Sequence, residues 1–299
     1  VGAVAVGGGG RYLVMHVHDR GELKLFDVSK GEVTATVPAD RGMNIKVVAG
    51  VSRAFLYAPT EGIFRVYSLP DLRKLFDAGT PMRGAGTLAI GSRTDGPMLM
   101  ASGNEVLLAN VSDSVTEVEG SRGRPGSIVF RYVRAAPDGT SFTLAPSAQP
   151  NSLVKLLTAA DRRWAVSELG PAVPFPGPDG NFYGAGGAVD SSGRQQIPAE
   201  SGTWLVPSVT GEKGFVKISA RVMKTAGKAP FTLAVSYRDF TNPNVTREMV
   251  GLPEYEGFSM GRSLRPNLMF DEYFFLVPEA NLLATLTFDR TKLVLRTLK

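Results

Sequence analysis

Cysteine is absent from the 299 residues and histidine nearly so, with only His16 and His18 present. A disulfide framework and thiolate chemistry are therefore excluded, and the chain is compatible with either redox environment, leaving its compartment open. A Ser-His-Asp triad would have to recruit one of those two imidazoles, and no Gly-x-Ser-x-Gly elbow leads into a helical segment. Long apolar runs are missing too. Stretches such as Tyr273 to Val277 fall far short of the ~20 residues a membrane helix needs, and Val1 to Val6 lacks the charged lead and apolar core of a signal peptide. No segment sustains a 3.6-residue apolar period, so helix is expected in less than about 10% of the chain. Charge of one sign is not in large excess: 33 Lys and Arg face 28 Asp and Glu for a net +5, with no basic tract. Nothing resembles the Lys/Arg tract that a dedicated nucleic-acid or membrane-surface binder usually shows, so nucleic acid is not expected, although the charge excludes no partner. A first residue that is Val rather than Met reads as the start of a piece cut from something longer.

What is present is short and repetitive. The chain is 43% hydrophobic and carries 34 Gly and 20 Pro, so a sizeable core is interrupted by frequent turns. Apolar segments rich in Val, Leu, Phe and Tyr are bounded by Gly, Pro, Asp or Asn, the pattern of strands and turns. The opening unit runs Val1 to Val6, a turn at Gly7 to Gly10, Tyr12 to Val17, a turn at Asp19 to Gly21, Leu23 to Val28, a turn at Lys30 and Gly31, then Val33 to Val37. Four strands in that order make an antiparallel meander. The pattern returns at Ile45 to Phe76 and at Thr87 to Val118, and further units begin near Val129 and Ala172. First strands thus start near 1, 44, 86, 129 and 172, a spacing of 42 or 43 residues. A sixth unit starts near 203 and a seventh near 273, with 254–272 as an insertion.

A period of about 40 to 45 residues with four short strands predicts an all-β, seven-bladed β-propeller of four-stranded antiparallel blades, occupying 1–299 as a single domain. Radial closure is favoured over an open solenoid because a solenoid needs atypical capping units at both ends. The strand count starts the chain at the inner strand of the first blade and ends it, at Lys292 to Leu298, on the third strand of the last. The last blade is therefore expected to be incomplete, lacking its outermost strand, which a segment upstream of Val1 in the parent protein would supply.

The wording of Gly9 to Val14, Leu25 to Val28, Pro137 to Gly139 and 276–298 resembles the YVTN-type and WD-repeat propellers of bacteria, and is similar to propeller domains in planctomycete-type multidomain proteins. The resemblance covers the whole chain and implies an interaction domain. The Gly-His start and Trp-Asp end of true WD repeats are missing, with Phe26-Asp27 the nearest approach. The hydrogen-bond tetrad of that family is therefore not expected.

Candidate chemistry is sparse. His16 and His18, two apart on one strand, share a face and with Asp19 could touch a metal, but a built site normally recruits more ligands. Packing or strand-edge hydrogen bonding is the plainer reading, and no metal or other cofactor is expected. Glu254, Glu256, Asp271 and Glu272 around the insertion could pair as a glycosidase requires, or form a solvated acidic loop. Gly7 to Gly10 and Gly184 to Gly187 follow no parallel strand and open no helix, so they read as turns and not as phosphate cradles. Ser201 to Trp204 is similar to the Asp-box of sialidase-type propellers but lacks its Asp. Trp164 and Trp204 read as packing residues.

In a propeller, the connectors between blades and the hairpins joining second to third strands emerge on one face. The connectors carry Arg41, Arg83, Arg122 and Arg124 to it, and the insertion adds Arg262 and Arg265, tempered by Asp40, Glu119 and Glu254. Planar guanidinium groups converging there suit an acidic segment of a protein partner. The expectation is a non-catalytic interaction or scaffold module within a larger protein. A lactonase-like or glycan-processing propeller hydrolase and a carbohydrate-binding domain remain as alternatives.

Overall fold

The computed structural model describes the chain apart from residues 43, 128, 147–152, 161–162, 172–174, 186, 201, 210–213, 223–230, 239–245, 250–272, 278–280, 288 and 298–299. Among the described residues the only helical element is a 3₁₀ turn at Gly8–Gly10. Sheet I comprises β1 (Ala3–Gly7), β2 (Tyr12–Val17), β3 (Glu22–Asp27) and β4 (Glu32–Pro38). Sheet II holds β5 (Lys46–Ala49), β6 (Arg53–Ala58), β7 (Ile63–Ser68) and β8 (Lys74–Gly79), and sheet III holds β9 (Thr87–Ala89), β10 (Met98–Ser102), β11 (Glu105–Asn110) and β12 (Thr116–Glu117). Sheet IV holds β13 (Tyr132–Ala135), β14 (Ser141–Ala145), β15 (Leu153–Ala160) and β16 (Arg163–Pro171). Sheet V holds β17 (Phe175–Pro176), β18 (Phe182–Gly184), β19 (Gly187–Val189) and β20 (Gln195–Ile197). Sheet VI holds β21 (Thr203–Pro207), β22 (Phe215–Val222), β23 (Phe231–Arg238) and β24 (Thr246–Met249), and sheet VII holds β25 (Phe274–Val277), β26 (Leu282–Leu286) and β27 (Leu293–Thr297). Each is a sequential antiparallel meander, four-stranded in I to VI and three-stranded in VII.

β1 pairs with β2 and is the first strand of its own sheet, as the strand count placed it. Sheet IV begins at Tyr132, three residues past the expected start, because Val129 is exposed and the Phe130 amide donates to Gly103 of the preceding sheet.

Burial peaks in the middle strands and drops at the outer edge, while the innermost strand β1 is mostly half-buried. β2 is buried along nearly its whole length and β4 is mostly exposed, since a strand covered on both faces by neighbouring sheets must be apolar throughout. The core is a series of layers between sheets: Val14, Leu23 and Leu25 against Val47, Leu56 and Tyr67, then Phe55, Tyr57 and Phe64 against Met98, Met100 and Leu107. Fully burying one such side chain contributes about 1.5–3 kcal/mol, so every layer is a substantial part of the stability.

Three outer strands carry a bulge in the same place. The register slips between Leu25 and Phe26 opposite β4, between Val66 and Tyr67 opposite β8, and between Ala188 and Val189 opposite β20. The extra residues, Thr34, Leu75 and Gln196, bend the exposed edges away from pairing with another chain.

The chain forms two compact units, one of Val1–Ser147 with Lys155–Glu168 and one of Ala148–Val154 with Leu169–Lys299. The first contains sheets I to III and most of IV. In the second, Tyr183, Trp204, Phe215, Phe274 and Leu276 share one apolar cluster across sheets V to VII. Trp204 is thus a packing residue, whereas the side chain of Trp164 lies outside the described residues.

Candidate docking face

Hydrogen bonds within the first unit show which loops lie together. The amides of Ala39 and Thr80, each just past an outer strand, donate to Gly21 and Gly62 in the β2–β3 and β6–β7 hairpins, and Gly86 and Phe130 donate to Ala101 and Gly103 around the β10–β11 hairpin. Connectors and second hairpins therefore share one end of each sheet. Arg41 packs against Gly21, where an added Cβ would meet its Cγ at 2.8 Å.

Around the β10–β11 hairpin the arrangement is denser. The connector 80–86 reaches it through the Ser102 hydroxyl, which donates to Gly84. The connector 118–131 reaches it through Asn104 Nδ2, which donates to the Gly126 carbonyl at 3.3 Å. Arg83 and the pair Arg122 and Arg124 thus flank a single hairpin. Arg122 differs from the other two. Its guanidinium donates to Glu117 at 2.6 Å, to Glu105 at 2.6 Å and to the Pro81 carbonyl at 3.0 Å. The Glu117 and Glu105 hydrogen bonds raise its pKa still further above the usual guanidinium value. Arg122 is therefore an internal tie between two connectors, not an open cation. Arg41, Arg83 and Arg124 are exposed and have no acidic partner among the described residues. Arg262 and Arg265, with Glu254, Glu256, Asp271 and Glu272, lie outside the described residues. So does a Gly-x-Ser-x-Gly spelling at Gly257-Phe258-Ser259-Met260-Gly261, in a segment where no helical pattern was read.

Most other ionisable candidates are engaged in structural contacts. His16 is 1% exposed, and its Nε2 lies 2.7 Å from the Asp40 carbonyl oxygen. A carbonyl can only accept, so Nε2 carries the proton, and burial pushes the imidazole pKa down from its ordinary value. The Asp40 carboxylate in turn pairs with Arg65 of β7, so one residue fastens sheet I to sheet II. His18 Nε2 pairs with Asp19 at 2.9 Å, and among the described residues no group of three metal-ligating side chains occurs. Asp27, 2% exposed, accepts from Arg11 at 2.9 Å and from the Ser29 hydroxyl at 2.6 Å. Burial alone would raise its pKa, but the Arg11 and Ser29 hydrogen bonds outweigh that and hold it below the usual carboxylate value. Asp138, Asp190 and Asp289 close turns in the same way, each accepting from the amide and hydroxyl of the residue two positions on.

The opposite loop end of the first unit is laced shut by backbone. Gly8 and Gly9 donate to Gly50 and Ser92, Val51 donates to Thr94, and Arg93 donates to Pro137. The loops between first and second strands of sheets I to IV thus form a hydrogen-bonded series, and sequence reasoning read only turns there. The signal was the Gly that closes the inner strand at Gly7, Gly50 and Gly91, each pressed against the neighbouring loop or strand end.

No protein-family model matches the chain, and no curated protein matches it. Solved structures do. The chain is similar to the hydrazine synthase of Kuenenia stuttgartiensis at 10% identity, covering 99% of this chain and 94% of that one with a TM-score of 0.54. It is also similar to a chain of the mitotic checkpoint complex, at 11% identity over 99% and 86% with a TM-score of 0.60. A third likeness is to the dihydro-heme d1 dehydrogenase NirN, at 14% identity over 97% and 62% with a TM-score of 0.52. Likenesses this distant in sequence speak for architecture alone, and together with the repeated meanders they show an all-β β-propeller with four-stranded antiparallel blades.

Proposed function

We propose that the chain is a seven-bladed propeller, its last blade short of a fourth strand, that serves as a non-catalytic protein-interaction module. It docks an acidic segment of a partner on the connector end of its first unit. The observation that carries this reading is the division of labour around the β10–β11 hairpin: Arg122 takes up Glu105 and Glu117, while Arg83 and Arg124 are exposed with no ion-pair partner among the described residues. Unpaired guanidinium groups on rigidly held loops bind carboxylates with little ordering cost. A non-catalytic role is further supported by the structural engagement of His16, Asp27, Asp40, Asp138, Asp190 and Asp289.

The test is binding of a fluorescein-labelled deca-glutamate peptide followed by anisotropy at low salt. The double variant Arg83→Ala/Arg124→Ala is expected to weaken binding at least about tenfold, the scale of losing two charge-assisted contacts. The control Lys30→Ala/Arg73→Ala removes equal charge from the other loop end and is expected to change little. Equal losses in both variants would show attraction to net charge alone and end the docking assignment.

A further inference from the structure

The connector 118–131 carries chemistry that docking does not use. Its residues Arg122-Gly123-Arg124-Pro125-Gly126-Ser127 place a serine hydroxyl three positions after one arginine and five after another. Ser127 is exposed and has no hydrogen-bond partner among the described residues. The chain is fastened on both sides of it. Upstream, Gly123 bridges to Val106, Lys155 Nζ donates to the Pro125 carbonyl at 2.8 Å and Asn104 holds the Gly126 carbonyl. Downstream, the Phe130 amide is held by Gly103 at 2.8 Å. Ser127 therefore follows directly on an anchored residue and precedes a second anchor at Phe130. Pro125 keeps the approach to it out of a helix, and Gly126, at φ 157°, adopts a value that glycine tolerates best.

The surroundings are cationic. Lys155 Nζ lies 2.9 Å from where a Cβ on Gly126 would stand, and Arg124 and Arg131 are exposed nearby in sequence. Residues 123–131 carry no carboxylate to repel a dianion on Ser127, Glu105 and Glu117 are held by Arg122, and Glu119, the acidic residue of this connector, lies eight positions upstream.

We propose that Ser127 is a phosphorylation site for an arginine-directed serine/threonine kinase, and that the phosphate neutralises the Arg124 region. In the transfer, Ser127 Oγ bonds to the γ-phosphorus of a nucleoside triphosphate. The bond from that phosphorus to the β–γ bridging oxygen breaks, the nucleoside diphosphate leaves, and the hydroxyl proton passes to the kinase's base. The product carries about −1.5 to −2 charge at neutral pH, enough to offset Arg124 and Lys155 together. Of the two upstream arginines only Arg124 is open to a kinase's acidic subsite, because Arg122 is held by Glu117, Glu105 and Pro81. The regulatory consequence, weaker docking of acidic segments, rests on the function proposed above; the modification itself does not.

The experiment incubates the whole chain with MgATP and the catalytic subunit of a cyclic-AMP-dependent kinase, and locates phosphate by fragmentation mass spectrometry. One phosphoryl group on Ser127 is expected and none on that segment in Ser127→Ala. Arg124→Ala is expected to lower kcat/KM by about tenfold or more, as for removal of one partner of a specific charge contact, while Arg122→Ala stays within about twofold. A chain that takes up no phosphate at Ser127, or one in which Arg122→Ala matters as much as Arg124→Ala, overturns the assignment. Phosphorylated chain that binds deca-glutamate as tightly as unmodified chain overturns the switch alone, since docking is judged separately by the Arg83→Ala/Arg124→Ala pair.

Discussion

A Cβ on Gly50 would stand 2.4 Å from the carbonyl oxygen of Thr94, whereas one on Gly79 would meet nothing within 4 Å. The contact at Gly50 is with backbone that is itself hydrogen-bonded to Val51, so no side-chain rotation relieves it. Gly50→Ala is expected to cost about 2 kcal/mol or more, the scale of overpacking a close-packed site, and Gly79→Ala to stay within about 0.5 kcal/mol. Urea denaturation midpoints of the two variants check this. His16 gives the second prediction at this scale. Its groups of concern are His18 on its own strand end, Asp40 in the connector and the amino group of Val1, and burial lowers its pKa below 6.5. An unfolded imidazole titrates near 6.5, so on acidification the unfolded state takes up the proton first and stability falls as pH drops below that value. A loss of stability between pH 7.5 and 5.5 is expected. His16→Gln, which keeps a donor for the Asp40 carbonyl, should flatten that slope; an unchanged slope would assign it to another group.

At the scale of elements, the Arg122 tie separates two substitutions that the sequence treats alike. Both are loop arginines of one connector, but Arg124 has no hydrogen-bond or ion-pair partner to lose among the described residues. Arg122→Glu breaks hydrogen bonds to Glu117, Glu105 and Pro81 and places a third carboxylate among two. Because Arg122 is 40% exposed, solvent screens the effect, and the expected loss is about 1 kcal/mol, against less than about 0.5 for Arg124→Glu. Thermal melts at low and high salt check the pair, and the difference should shrink as salt rises. The tie was not legible in the sequence because two of its three partners are 17 and 41 positions away. Only the fold brings β11 and the preceding connector to the same guanidinium. What was legible is local: the strands of sheets I to III follow from alternation and turn residues, and the sharing of one end by connectors and second hairpins follows from meander order. The bulges at Thr34, Leu75 and Gln196 were not, since an inserted residue in an exposed strand leaves no gap in its apolar pattern.

At the scale of the whole molecule, the period of 42 or 43 residues was readable because each sheet pairs only with its own chain neighbours, so every repeat writes its structure locally. The lacing of loops across sheets was not, because it runs through backbone groups that any residue carries, and only the recurring glycines mark it. That lacing makes a prediction about cooperativity in the first unit. A Cβ on Gly91 would stand 2.5 Å from the Pro137 carbonyl, the acceptor for Arg93, and 2.6 Å from the Ala136 carbonyl and the Gly139 nitrogen. If the laced loops and the apolar layers open together, Gly91→Ala lowers the free energy of a single opening, and amides deep in all the sheets of that unit lose protection by a common factor. Amide exchange should then accelerate equally at Val14 in β2, Leu56 in β6, Met100 in β10 and Leu144 in β14, all buried strand positions far apart in sequence. A destabilisation of about 2 kcal/mol corresponds to roughly a thirtyfold change at each. Acceleration confined to Arg93 and Gly139 would instead mean that each sheet opens on its own, and that the hydrogen bonds from Gly8 and Gly9 through Gly50 to Pro137 do not couple the unit.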